Sequence, residues 1–244
     1  MTLLKLKVFR FLFLIVTVFF VSSCAPPSIT TTMLVPAKYH EAAQLKEVAV
    51  LPFDGKNGDE FAKEIEGILA SINIGDKQYF TLFERAKLEK IIDEELKLSQ
   101  AGFTDPKTVV KVGKAIGAKG IYTGVVAEPR IENSGYAEKR TKCAYEETYT
   151  DNKGKQRTRC GRWDEYTVPC TKRTVVFTFT PKLIEVETGK IVYSTNLQNS
   201  SDASACSDSG RSLTSESELI DEAKKMTTHL FRTQIAPHYI TIDI

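Results

Sequence analysis

The order of apolar and polar positions along this chain predicts short buried strands alternating with amphipathic helices. Strands are predicted where apolar and β-branched residues run together, and helices where apolar residues recur every three or four positions. The predicted strands are residues 47–53, 77–83, 119–127, 174–186 and 191–197. The predicted helices are residues 59–72, 84–99 and 105–116, and one that begins at Ser215.

Local start and stop signals support these elements. Asp105 followed by a proline is a helix cap and first residue, and Gly117 is a stop signal. Ser215 with Glu218 three positions later forms a capping-box pattern. The order β-α-β-α-α-β, then a β-hairpin, then a helix, predicts one α/β domain over residues 47–244, a mixed sheet with helices packed on it.

The amino terminus has the three parts of a secretory signal peptide, which predicts that residues 1–23 are removed. A basic start is followed by an apolar run, residues 11–21, and by small residues before Cys24. That run is too short to cross a bilayer, which takes ~20 residues. The pattern resembles a lipobox and predicts that Cys24 is diacylated. The rival interpretation is an ordinary signal peptide with an incidental cysteine.

The residues after Cys24 indicate where the protein is anchored. Ala25 stands where an aspartate would resemble an inner-membrane retention signal, so we expect the periplasmic face of the outer membrane. Residues 24–46 contain three prolines and a Ser/Thr run, which predicts a flexible lipidated tether. No cofactor is expected beyond the covalent N-terminal lipid.

Four further cysteines are expected to form disulfides in an oxidising compartment. Zinc is the rival, but there is no Cys-x-x-Cys pair and the three histidines are scattered, so no metal site is predicted. The sequence does not choose among the three pairings. We favour Cys143–Cys160 across a hairpin because the turn signal 151–154 lies midway between them, and Cys170–Cys206 would follow.

The segment 128–173 is a polar insertion of mixed charge that holds three of these cysteines. A disulfide-stapled hairpin with exposed aromatic residues suits a contact with another protein. The alternative is that the disulfide replaces a missing core and Trp163 covers it. The candidate contact residues are Tyr145, Tyr149, Trp163 and Tyr166.

An ordered set of motifs after the lipobox resembles the CsgG family, the lipoproteins typified by the curli secretion channel. The motifs are residues 48–53 (VAVLPF), 80–85 (FTLFER) with the helix pattern that follows to Gln100, 113–124 (GKAIGAKGIYTG) and 186–192 (VETGKIV). The resemblance implies an α/β periplasmic domain of the anticodon-binding-domain-like type. Similar domains occur in lipoproteins that activate cell-wall synthases, the penicillin-binding-protein activators.

The resemblance also raises the question of a pore, because each channel subunit of that family inserts two β-hairpins into the outer membrane. The matching segments here are 128–173 and 200–211, and both are polar. A charge facing lipid at mid-depth costs roughly 2–4 kcal/mol. By simple alternation, each face of the first segment carries both signs, Arg140 with Glu146 and Lys139 with Glu147. The second is poor in β-forming residues, so neither is predicted to enter the membrane.

Charge and motif content exclude several functions. The net charge of +2 on 26% charged residues gives no global attraction to nucleic acid. No nucleophile–base set, phosphate loop or metal set is present, so no catalytic residue is assigned and an enzyme is not expected. The expected function is non-enzymatic binding of an unidentified envelope protein that assembles or regulates secretion or cell-wall machinery. The alternative is a subunit of an oligomeric channel, and a homo-oligomer remains open.

Overall fold

A computed structural model of the chain describes residues 30–83, 90–91 and 105–243. The predicted signal peptide, Cys24 and nearly all of the predicted helix 84–99 lie outside the described residues. The described residues form two compact units, those between 36 and 238 and those of 30–35 with 239–243. In the smaller unit, strand β1 (Thr30–Val35) pairs with the last strand, β11 (His238–Asp243). Within the described ranges, no helix combines the length and hydropathy needed to span a bilayer.

The larger unit has four helices with assigned bounds and a series of strands between them. The helices are α1 (His40–Gln44), α2 (Gly58–Ala70), α3 (Pro106–Ile116) and α4 (Glu216–Ile235). The strands are β2 (Glu47–Val50), β3 (Asn73–Ile74), β4 (Lys77–Gln78), β5 (Thr81–Leu82), β6 (Gly120–Val126), β7 (Arg130–Thr150), β8 (Gln156–Glu185), β9 (Ile191–Ser194) and β10 (Leu197–Cys206). The predicted mixed α/β fold is confirmed.

The strand β8, 30 residues long, organises the main sheet. The sheet order is β10-β8-β6-β2-β5, with β7 and β9 also paired to β8. β6 and then β7 pair with one edge of β8, and β9 and then β10 pair with the other edge. The two edges are distinguished at Phe179, which pairs with β6 on one side and with β10 on the other. β2 runs parallel to β5 and β6, whereas every neighbour of β8 is antiparallel to it.

Alternate residues of the sheet face two separate cores. Val48, Val50, Tyr122 and Leu183 point toward α2 and α4, where the rings of Phe61 and Phe179 lie 4.9 Å apart and those of Phe179 and Phe231 5.7 Å apart. Ala49, Leu51, Ile121 and Ile184 form the opposite core with Val109 and Val112 of α3. The period-two pattern of the strands therefore places helices on both faces.

The predicted helix caps are confirmed. The Asp105 carboxylate accepts a hydrogen bond from the Thr108 backbone N–H at 3.0 Å, and this bond lowers the pKa of Asp105. Gly117 ends α3 with a left-handed φ of 79°, which glycine adopts without strain. At α4 the Ser215 side chain accepts from the Glu218 backbone, and the Glu218 side chain accepts from the Ser215 backbone.

Two predicted segments differ in the structure because tertiary contacts decide them. Residues 77–83 are not one strand: β4 pairs with β3, and β5 pairs with β2, with buried Phe80 between them. The predicted tether 24–46 contains β1 and α1, and Ala42 is fully buried in the core. Folded structure in the larger unit therefore begins before residue 47.

The first part of the segment 200–211, which is poor in β-forming residues, is nevertheless a strand. Residues Leu197–Cys206 form β10, which pairs with β8 over ten positions from Leu197↔Phe179 to Cys206↔Cys170. Its small polar side chains have low strand propensity, but pairing with an existing edge overrides propensity.

Candidate functional site

β7 and β8 extend beyond the end of β10 as a two-stranded hairpin, residues 137–169, which we call the arm. At about 3.3 Å per residue, its strands reach roughly 40 Å from the last residue pair that β10 covers. Of these residues, all of which the structure describes, Val168 alone is buried. The arm therefore presents nearly all of its side chains to solvent.

The end of the arm is an ordered turn at the predicted position. The Asp151 carboxylate accepts backbone hydrogen bonds from Lys153 and Lys155, both at 2.9 Å, and one from the Arg157 side chain at 3.1 Å. The Lys155 bond is the main reason that the pKa of Asp151 is lowered. Gly154 has a left-handed φ of 76°, which completes the turn.

Both disulfide pairings favoured from the sequence are present. Cys143–Cys160 joins the two strands of the arm, with a Cα–Cα distance of 5.7 Å. Cys170–Cys206 fastens the end of β10 to β8 at the arm's base. The Glu138 carboxylate lies within 4.8 Å of the latter sulfurs. A disulfide offers no thiolate to a metal, so this cluster is not a metal site while the bond is intact.

The Cys143–Cys160 disulfide lies beside two β-bulges that reverse the faces of the arm. Register shifts occur at Cys143/Tyr145 and at Tyr145/Glu146, one extra residue in each strand. Beyond the bulges the two strands therefore pair in the same register as before. Each side chain there lies on the face opposite to the one that simple alternation from residue 143 would give. As a consequence, Arg140 shares a face with Glu147, and Lys139 with Glu146. The simple alternation predicted from sequence is wrong beyond residue 143.

The outer half of one face carries a tyrosine–arginine cluster. Tyr149 is paired across the strands with Arg157, and the Arg159 guanidinium lies over the Tyr149 ring at 5.4 Å. Arg159 also pairs with Glu147, with an N–O distance of 3.1 Å. Arginine and tyrosine are the residue types that most often dominate binding energy at protein interfaces.

The inner half of the same face continues this pattern. Tyr145 is opposite Arg162, which pairs with Asp164 at 3.3 Å. The Lys142 ammonium lies 5.5 Å from the centre of the Tyr166 ring. Tyr145, Tyr149 and Tyr166 thus lie on one face of the arm, which we call the tyrosine face.

Asp208 fixes the base of the tyrosine face. Its carboxylate accepts from Arg140 at 2.8 Å and from the Tyr166 hydroxyl at 3.3 Å. Arg140 also donates to Glu138 at 2.9 Å, and the pKa of Arg140 is raised, chiefly by that bond. No motif in the sequence marks Asp208. Its position two residues after Cys206 places it at the base of the arm once Cys206 is paired with Cys170.

Trp163 is separated from the three tyrosines because it lies on the opposite face. It is paired across the strands with Cys143, whose disulfide partner Cys160 must share its face. The side chain of this single tryptophan is 61% exposed. We call this side of the arm the tryptophan face. The four predicted contact residues therefore form two surfaces and not one. Trp163 lies on the same face as the Cys143–Cys160 disulfide, and the alternative that it covers this disulfide stays a prediction.

Comparisons with known proteins do not identify a family. No family model matches the chain, and no curated protein matches it. Among solved structures, the chain is similar to the LpoB C-terminal domain from Salmonella enterica, with 14% identity over 64% of this chain and 83% of that one, at a TM-score of 0.35. It is also similar to the LpoB C-terminal domain from Escherichia coli, with 13% identity over 67% of this chain and 95% of that one, at a TM-score of 0.35.

A third similar structure is the hypothetical protein CT253 from Chlamydia trachomatis, with 14% identity over 63% of this chain and 69% of that one, at a TM-score of 0.29. TM-scores of this size do not establish a shared fold, so neither fold nor function is inferred from these structures. The resemblance to the CsgG family stays a prediction from the sequence.

Proposed function

We propose that this protein is a lipid-anchored, non-enzymatic binding protein of the bacterial cell envelope. Cys24 carries the lipid, and the arm contacts another envelope protein that belongs to secretion or cell-wall machinery. The membrane partner is the outer membrane at its periplasmic face, and no nucleic acid is bound.

The observation that carries the proposal is the tyrosine face. Tyr145 and Tyr149 are 59% and 43% exposed, yet they are held on a ribbon that a disulfide and an ordered turn make stiff. A rigid surface loses little conformational entropy on binding, which favours affinity. The arginines beside these tyrosines are paired with carboxylates, so their geometry is set before a partner arrives.

The test is site-specific photo-cross-linking in cells that make the full-length lipidated protein. A photoreactive amino acid at Tyr145 or Tyr149 should give one discrete adduct with an envelope protein. The matched control is Thr148, the neighbour of Tyr149 on the opposite face. An adduct of Thr148 with the same envelope protein, equal to that from Tyr149, or no adduct from either tyrosine, would contradict the proposed binding surface.

A channel subunit is the alternative, and the same lipidated protein tests it. Extraction in mild detergent followed by imaging should give no ring with a central hole. A ring of many subunits would instead favour a CsgG-type channel, and the rejection of segments 128–173 and 200–211 as membrane hairpins would then be wrong.

A further inference from the structure

The tryptophan face of the arm is continuous with the face of the sheet that α2 and α4 cover. Trp163 and Val175 are an even number of residues apart on β8 with no bulge between them, so their side chains leave the same face. Ser201, which is opposite Val175, donates a hydrogen bond to Glu222 of α4. The helical layer formed by α2 and α4 therefore ends at the base of the arm. From there to the tip of the arm, this face is not covered by other described elements.

A cleft of about 330 Å³ lies where the helical layer stops. Its apolar lining includes the buried rings of Phe61 and Phe177 and the partly exposed side chain of Ile131. Charged side chains of both signs, among them Lys56 and Glu60, form part of its lining. This volume is at the lower end of the range for small-ligand pockets, which suits one large side chain better than an extended ligand.

The protein's own Trp163 cannot enter this cleft. Ile131 is opposite Val175, and twelve residues of continuous β8 separate Val175 from Trp163. At about 3.3 Å per residue, the tryptophan is held roughly 40 Å from the cleft by the strand that also lines it. An exposed indole and an apolar cleft on one face, at a fixed separation, can meet only between two copies of the chain.

Between Trp163 and the cleft, the side chains at the middle of this face are small enough for two such faces to pack together. At the midpoint of the span this face carries Gly135, Ala137, Pro169 and Ala205, and Thr167, Thr171 and Lys139 flank them on the same face. The Cβ position of Gly135 has no neighbouring atom within 4 Å. Packed sheets approach to about 10 Å, which sets the expected spacing of two such faces.

We propose that two copies form a dimer in which the arms lie antiparallel with their tryptophan faces in contact, and each Trp163 fills the cleft of the other copy. The contact is isologous and closes with two-fold symmetry, because each copy supplies one tryptophan and one cleft. The twofold axis passes near Pro169, midway between Trp163 and Val175. The tyrosine faces point outward and remain available to the envelope partner.

The charges on this face are complementary under that symmetry. With Pro169 at the axis, Glu165 of one copy lies at the level of Arg173 of the second copy. Arg173 is 20% exposed and points toward the helical layer, where its guanidinium lies 3.6 Å from Glu216. An acidic side chain thus meets a basic one twice in the dimer, which favours the antiparallel register over a parallel one.

The emission of the single tryptophan measures this contact directly in the full-length lipidated protein in detergent. Increasing protein concentration should shift the Trp163 emission to shorter wavelength and reduce its quenching by acrylamide, in step with a doubling of protein mass by light scattering. Trp163→Ala and Ile131→Glu should each weaken dimerisation, measured by light scattering, by about 1,000-fold, because each substitution removes two symmetry-related contacts of about 30-fold each. Tyr149→Ala, on the opposite face, should leave the dimer unchanged.

A second measurement places the axis. Ala137→Cys should be joined between the two copies by a short bismaleimide cross-linker, which spans the gap between packed sheets, whereas Tyr136→Cys, its neighbour on the other face, should not. Unchanged thermal unfolding of the variants excludes misfolding as the cause of a lost dimer. Trp163 emission that stays exposed at every concentration, or equal cross-linking at 136 and 137, overturns the proposal. Adduct formation at Tyr149 is independent of both results, so the function proposed above is tested separately.

Discussion

Individual glycines explain why one predicted motif has its composition. In the segment 113–124, a Cβ on Gly113 would lie 2.4 Å from a methyl group of Val186. A Cβ on Gly124 would lie 2.1 Å from the Thr180 carbonyl oxygen, and Gly124 has a φ of 151°. Gly113 and Gly124 are therefore explained by the close approach of neighbouring strands and side chains, and not by a phosphate or nucleotide site.

Gly124→Ala tests this explanation. The added methyl group meets backbone and not a flexible side chain, so β6 and β8 must separate, and we expect a loss of about 3 kcal/mol in the free energy of unfolding. The measurement is urea denaturation. Gly135→Ala is the matched control, because its Cβ meets nothing within 4 Å. Equal midpoints for the two variants would contradict the packing explanation.

The lowered pKa of Asp151 makes the turn of the arm sensitive to acid. Folding lowers this pKa below its ordinary value of 3.8, mainly through the Lys155 backbone bond. The stabilisation is therefore complete above the unfolded pKa and is lost as the pH falls through the lower folded pKa. Asp151→Asn should increase amide exchange in the arm at neutral pH but not in strong acid, where both carboxyl and amide are neutral.

Asn152→Ala is the control for that change, since it alters the same turn without removing the carboxylate. A difference between wild type and Asp151→Asn that persists unchanged at acid pH would show that charge is not the cause.

At the scale of elements, the arm and the body depend on different disulfides. Cys143–Cys160 closes a separation of 17 residues inside a hairpin whose side chains are nearly all exposed. Cys170–Cys206 closes 36 residues and holds β10, whose partners on β8 include the core residues Val175 and Phe177. The first bond therefore acts on local stability, and the second on the folded body.

Paired substitutions separate these roles. Cys170→Ala with Cys206→Ala should lower the free energy of unfolding of the whole domain, by up to about 4 kcal/mol in the loop-entropy model. Cys143→Ala with Cys160→Ala should leave the thermal midpoint of the body nearly unchanged and increase amide exchange within 137–169. Each pair serves as the other's control. The reverse assignment of effects would show that the arm belongs to the cooperative core.

At the scale of the whole molecule, the proposals give each surface one role. The N-terminal lipid places the chain at a membrane, the tyrosine face contacts an envelope protein, and the tryptophan face joins two copies. A dimer would carry two lipid anchors, which strengthens membrane attachment beyond that of one.

Cys24→Ala tests the anchor. The variant should lose the mass of the lipid and leave the membrane fraction, because the chain then has no thiol for the thioether bond. Its Trp163 emission should still report the dimer at high concentration, since the cleft and the arm are unchanged. Membrane attachment that survives this substitution would contradict the lipoprotein assignment.

Elements whose signals are local could be predicted from the amino-acid sequence alone. The helix caps at Asp105 and Ser215, the stop at Gly117 and the turn at 151–154 depend on contacts within a few residues. The disulfide across the hairpin was predictable for the same reason, because the turn between its cysteines fixed their proximity.

Features that depend on partners distant in sequence could be recognised only in the folded chain. The mostly polar residues 197–206 form a strand because they pair with an edge of β8. Residues 77–83 form two short strands because their first part pairs with β3 and their last part with β2. Two bulges invert the faces of the arm, so Tyr145 and Tyr149 share a face with Tyr166 and lie opposite Trp163. Alternation is a local rule, but where it is interrupted depends on how two strands and a disulfide fit together.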